Sequence, residues 1–138
     1  MDFPLPDPHY APLQPFWAGI AAREIRFPHC DDCQTINWYP AEACRHCQGR
    51  DFTWVAAAGP ARIFAFTQLH RALYPALKPL VPYVPVLLTF DSTPGPRLVS
   101  RWVNQNQALP EIGQHAEIIF EDLGHPHFVS GCIGPLVR

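Results

Sequence analysis

The sequence predicts a mainly β protein in three parts: an N-terminal helix, a cysteine-bearing ribbon and a five-stranded barrel. Three observations carry this. Cys30, Cys33, Cys44 and Cys47 form two Cys-x-x-Cys pairs with ten residues between them. A Gly59-Pro60 break follows, and after it come five apolar runs of strand length. Before the cysteines, one segment repeats its apolar residues at helical spacing. At 138 residues, 48% of them apolar, the chain can bury one ordinary core.

The first fifteen residues carry Pro4, Pro6, Pro8, Pro12 and Pro15, which predicts an extended arm. Pro15 suits the first turn of a helix through "PFWAGIAAREI", with Phe16, Trp17, Ile20 and Ala21 on one face. The two aromatics need burial, against the chain's own core or against another protein. The arm and helix are assigned to residues 1–27, the ribbon to 28–58 and the barrel to 59–138. Within the ribbon, "TINWY" reads as a short strand between the two cysteine pairs.

In the barrel, "ARIFAFTQLH", "VPVLLTF", "RLVSRWV", "HAEIIFE" and "HFVSGCI" are the expected strands. A five-stranded Greek-key barrel is an OB-fold. "RALYPALKPLVPY" reads as a surface loop and "DSTPGPR" as a hairpin turn. "NQNQALPEIG" is the long connection, with Pro110 leaving little room for a helix.

Zinc takes four thiolates tetrahedrally at about 2.3 Å. Each Cys-x-x-Cys turn delivers two sulfurs, and the connecting hairpin returns the second turn opposite the first. Cys30, Cys33, Cys44 and Cys47 leave no open coordination position, so the expected ion is a single structural zinc. Thiolates and ion together carry about two negative charges, which Arg26, Arg45 and Arg50 could offset. His29 and His46 flank ligand positions and are not expected to displace a cysteine. A rubredoxin-like iron centre is the rival reading. It normally keeps glycines in its knuckles, where this chain has Gln34 and Gln48.

Composition narrows the function. The net charge is -2 and Lys78 is the only lysine beside nine arginines, against a nucleic-acid partner. No stretch has signal-peptide form or membrane-spanning length, so a soluble cytoplasmic protein with reduced thiols is expected. Acyl transfer needs a nucleophile, a base and an oxyanion site. Cys132, in the apolar last strand, reads as a small buried side chain. His125 and His127 read as turn residues, and the Asp31-Asp32 and Glu121-Asp122 pairs as solubilising carboxylates. No catalytic residue is assigned.

The chain resembles the thiolase-associated zinc-ribbon/OB-fold family, catalogued as domain of unknown function number 35. "PFWAGIAAREIRF", "CDDCQTINWYPAEACRHC", "WVAAAGPARIFAFTQLHRA", "PYVPVLLTFD", "EIGQHAEIIFED" and "PHFV" carry the resemblance in order over nearly the whole length. The departures are Gln34, where glycine is usual, and Ala56-Ala57-Ala58, where a serine often precedes the glycine. The resemblance implies a rubredoxin-like zinc ribbon, an OB-fold and a non-catalytic subunit. Such a subunit binds or positions acyl-CoA for a thiolase-fold partner in a hetero-oligomer, the partner being a thiolase, an acetyltransferase or an acyl-CoA aldolase. Arg62, Arg71, Arg97 and Arg101 are then candidate phosphate contacts. Phe64, Phe66 and Trp102 are candidate stacking or partner contacts, and Phe16 and Trp17 candidate partner contacts. A single-strand nucleic-acid binder and a rubredoxin-like electron carrier are the alternatives.

Overall fold

The computed structural model describes residues 7, 9–104, 106–125 and 128–135, and from residue 121 onward only their backbone. The proline arm up to Pro6, Pro8, His127 and the side chains of His125, Cys132, Glu121 and Asp122 lie outside the described residues.

A 3-10 turn, Ala11–Leu13, leads into α1, Gln14–Ala21. Pro15 occupies the first turn, where its missing N–H costs nothing. Phe16 and Ile20 are buried, Trp17 is half-buried and Ala21 is exposed. The helix ends at Ala22, and Arg23 follows in the left-handed conformation at φ 61.

β1 (Arg26–Cys30) and β2 (Phe52–Ala56) form an antiparallel pair, Phe27 opposite Val55 and Cys30 opposite Phe52. They bracket the cysteine segment. Sequence periodicity showed neither strand, because each is five residues long and its partner lies more than twenty residues away. "TINWY" contributes only one bridge, Ile36 to His29, rather than a strand.

Five strands close the barrel: β3 (Ala61–Phe66), β4 (Val84–Phe90), β5 (Thr93–Trp102), β6 (His115–His125) and β7 (Phe128–Pro135). Their order is β3-β4-β5-β7-β6, with β6 returning to β3. All pairs are antiparallel except β5 with β7, joined through Trp102 and Ile133. That order is the five-stranded OB topology. β4 alternates most strictly, burying Val84, Val86, Leu88 and Phe90. The predicted turn "DSTPGPR" shrinks to Asp91-Ser92, and β5 already starts at Thr93. The β3–β4 connection holds a 3-10 helix, Pro75–Leu80, and the β5–β6 connection shows no helix among its described residues.

Ribbon and barrel share one core. Phe16 lies 5.1 Å from Trp38, Trp38 5.2 Å from Phe27, and Phe27 5.4 Å from Phe90, ring centre to ring centre. This chain of rings runs from α1 through the cysteine segment and β1 into β4. Each pair contributes roughly 0.5–1.5 kcal/mol beyond its buried area. Among the described residues no helix is long and apolar enough to cross a membrane.

Candidate metal centre

The four sulfurs of Cys30, Cys33, Cys44 and Cys47 lie within 4.8 Å of one another. Cys30 is 3.5 Å from Cys47 and Cys33 is 3.6 Å from Cys44, sulfur to sulfur. Thiolates at about 2.3 Å from a tetrahedral zinc would lie roughly 3.8 Å apart. A disulfide would need about 2.05 Å. The cysteines are therefore unbridged and already gathered to a zinc-sized distance. Neither His29 nor His46 belongs to the cluster.

Two similar turns build it. Gln34 N–H donates to Cys30 O at 2.8 Å, and Gln48 N–H to Cys44 O at 3.0 Å. Each turn is then closed by the cysteine's own amide: Cys30 N–H to Thr35 O, and Cys44 N–H to Gly49 O. Gln34 (φ 62) and Gln48 (φ 66) both adopt the left-handed backbone expected of glycine. The knuckle geometry thus survives the substitution, and glutamine at these positions does not distinguish zinc from iron. Gly49 has a different reason for being glycine: a Cβ there would meet the Asp32 carboxylate and Cys47 Sγ.

Asn37 is the residue that sequence reasoning missed. It is 2% exposed. Its Nδ2 donates to Cys44 Sγ at 3.3 Å and to Thr35 O at 3.1 Å. Its Oδ1 accepts Arg45 N–H at 3.0 Å, and its own N–H donates to Pro28 O. One buried amide thus ties both knuckles and β1 together. Backbone amides of His46 and Gly49 add donors to Cys44 and Cys47, each at 3.4 Å.

The surrounding donors favour thiolate at Cys33 and Cys44. Hydrogen bonds from Thr35, side chain and backbone, hold the Cys33 thiol down at about 6. The Cys47 N–H, then Asn37, lower Cys44. Gly49 N–H favours the Cys47 thiolate, but crowding by Cys30, Cys33 and Cys44 outweighs it and pushes that thiol up to about 12. Four negative sulfurs cannot share this space unaided, and a dication at their centre removes the conflict. Distances, donors and charge fit one structural zinc ion.

The candidate ligand contacts do not converge. Arg62 binds Asp91 through both Nε (3.2 Å) and Nη2 (2.9 Å), and Nη1 donates to Gly113 O at 2.9 Å. His115 Nε2 lies 2.9 Å from the same carboxylate. Arg62 thereby clamps the β3–β6 seam. Trp102 is buried, its Nε1 donating to Ala108 O at 2.8 Å. Phe66 packs against the core, while Phe64 occupies a bulge of β3 and is exposed. Arg97 lies 4.0 Å over the Phe64 ring. Arg101 borders a groove of about 450 Å³ with Leu80, Tyr83 and Trp102. Arg71 is exposed on the β3–β4 connection, and on α1 the Phe16 ring lies between Trp17 and Trp38, within 5.2 Å of each.

Comparison with known proteins adds two adjoining matches. Residues 17–53 match the family model of the ChsH2 rubredoxin-like zinc ribbon domain, and residues 54–121 that of the ChsH2 C-terminal OB-fold domain. A protein of Thermomonospora curvata named "Probable enoyl-CoA hydratase alpha subunit" is 32% identical over 99 residues, 71% of this chain. The chain spans 30% of that relative's length. The solved structure "Ltp2-ChsH2(DUF35) aldolase" superposes with a TM-score of 0.77 at 24% identity, over 98% of this chain and 100% of that one. A protein of unknown function of the DUF35 family from Sulfolobus solfataricus gives 0.57 at 17% identity, over 86% and 83%. Both structures share the fold.

Proposed function

Because the chain belongs to the ChsH2 family of paired zinc-ribbon and OB-fold domains, DUF35, we propose that it is a non-catalytic accessory subunit of an acyl-CoA enzyme. In this reading it binds a thiolase-fold catalytic partner (a thiolase, acetyltransferase or acyl-CoA aldolase) and helps position the acyl-CoA. The degradation of an aromatic, steroid or other carboxylic acid is the kind of chemistry served. One observation carries it. The ribbon and OB domains match in order over residues 17–121, and two similar proteins are named for an enoyl-CoA hydratase subunit and for an aldolase. The geometry is consistent with this: the cysteine cluster is closed, so it fastens the fold rather than offering a metal ion to a substrate.

The test is reconstitution. The chain is produced alone and together with a candidate thiolase-fold protein from the same organism, and each preparation is assayed for carbon–carbon bond cleavage of acyl-CoA substrates. The expected result is a stable complex that turns over while the isolated chain does not. Turnover by the isolated chain, or no association, would overturn the assignment.

A further inference from the structure

β6 has two edges, and only one is covered along its length. Glu117, Ile119 and Glu121 stand in register with Gly134, Cys132 and Ser130 of β7. On the other edge, Ile63 N–H donates to Gln114 O at 2.9 Å and Ala61 stands opposite Ala116, so β3 covers that side as far as Ala116. There β3 ends, and the preceding chain turns away through Gly59 at φ 80. Ser92 fixes the departure, accepting Ala58 N–H at 3.1 Å and donating to Ala58 O. Backbone groups alternate sides along a strand. Ile118 and Phe120 therefore point theirs into the space β3 has left, where no backbone group among the described residues pairs with them.

That space is a cleft of about 770 Å³, walled by Ile25, Ala57, Pro60 and Phe90 beside Ile118 and Phe120. Arg23 marks its far end. Its Nη1 donates to Phe120 O at 3.1 Å, which independently shows that this carbonyl faces the cleft. Arg23 holds the left-handed position that closes α1, its own N–H donating to Ile20 O and the Glu24 N–H to Gly19 O. Among the described residues, three groups stay open in a row: Ile118 N–H, Ile118 C=O and Phe120 N–H.

We infer that this edge of β6 receives a short extended segment of the catalytic partner, paired backbone to backbone in the place β3 vacates. The inference rests on the accessory-subunit reading. A donor–acceptor–donor row at strand spacing is the complement of another strand, and strand addition to open edges is a general mode of peptide recognition. The apolar wall asks for an apolar residue on the incoming segment. Glu117 borders the cleft with no ion pair among the described residues, whereas Glu24 is held by Arg26 at 2.8 Å. A basic residue on the segment complements Glu117.

Amide hydrogen exchange on the zinc-loaded chain, free and in the complex with its catalytic subunit, tests this. The Ile118 and Phe120 amides are expected to exchange fast in the free chain and at least about tenfold slower in the complex. Ile118→Pro removes a donor that faces the cleft and none that faces β7, a position where edge strands tolerate proline. It should keep its zinc and weaken association about tenfold, with Ile118→Val binding normally. Should Ile118→Pro not fold, Glu117→Lys provides the second variant, expected to weaken association most at low salt. A complex that forms with both amides unchanged overturns the inference and leaves the accessory reading standing. Failure of any complex to form overturns both. Slow exchange in the free chain also overturns it: a speed-up on deleting residues 1–8 would show the chain's own N-terminus on the edge, and a speed-up on dilution a second copy.

Discussion

The ribbon and the barrel are held by different forces. In the ribbon, Cys30 and Cys44 are buried, but most residues between Asp31 and Asp51 are exposed or half-exposed. Its order comes from hydrogen bonds aimed at sulfur and from the ion those sulfurs gather. Among its described residues the barrel shows no such staple. It is held by Ile63, Val86, Leu88 and Phe90, each 3% exposed or less, and by strand register. A short segment that cannot bury a core can still be ordered by a metal, whereas a longer one orders itself by burial. The two meet at Phe27, which touches Trp38 on one side and Phe90 on the other.

The largest expected effect breaks the ribbon alone. Cys44→Ser removes a buried ligand, and structural zinc sites contribute on the order of 10–16 kcal/mol to folding small zinc modules. Zinc content should fall to near zero and the amides at positions 37 and 44 should lose protection, while Ile63 and Leu88 keep theirs. Barrel amides exchanging equally fast would show that the two regions do not differ as described. Phe27→Ala comes next, at about 3–5 kcal/mol. Because its ring faces both ways, chemical denaturation should show both regions weakened together. Loss confined to one would contradict a shared core.

Asn37→Ala is smaller, about 1–3 kcal/mol for the buried partners left unsatisfied. It should speed zinc loss to a chelator while leaving the barrel's exchange unchanged. Smallest is the seam clamp. Hydrogen bonds from Arg62, then His115, hold Asp91 at about 2, below its ordinary value of 3.8. A depressed carboxyl contributes stability above its ordinary value and loses it as pH falls through about 2. Asp91→Asn should therefore speed Ala61 and Ala116 exchange at pH 6, with the difference from the parent chain shrinking toward pH 2. A difference independent of pH would remove the clamp from the account.

The sequence made some of this legible and hid the rest for physical reasons. Ligand spacing is local, so the four cysteines could be read directly. The alternation of "VPVLLTF" is local too, and β4 occupies Val84–Phe90 as expected. β1 and β2 find each other only across the ribbon, which no local pattern records. Asn37 looks like any polar loop residue until folding places its amide against Cys44. Arg62 reads as a free charge until folding brings Asp91, twenty-nine positions away, against it. The open edge of β6 follows from where β3 stops, which depends on Ser92, just past β4, gripping Ala58, just before β3.

The most direct measurement is the metal itself, by elemental analysis and X-ray absorption on the chain purified without added metal. One zinc per chain, bound by four sulfurs at about 2.3 Å, is the expected result. Iron in the site, nitrogen or oxygen in the first coordination sphere, or metal-free cysteines joined as disulfides would contradict the closed zinc staple on which the fold and the accessory role depend.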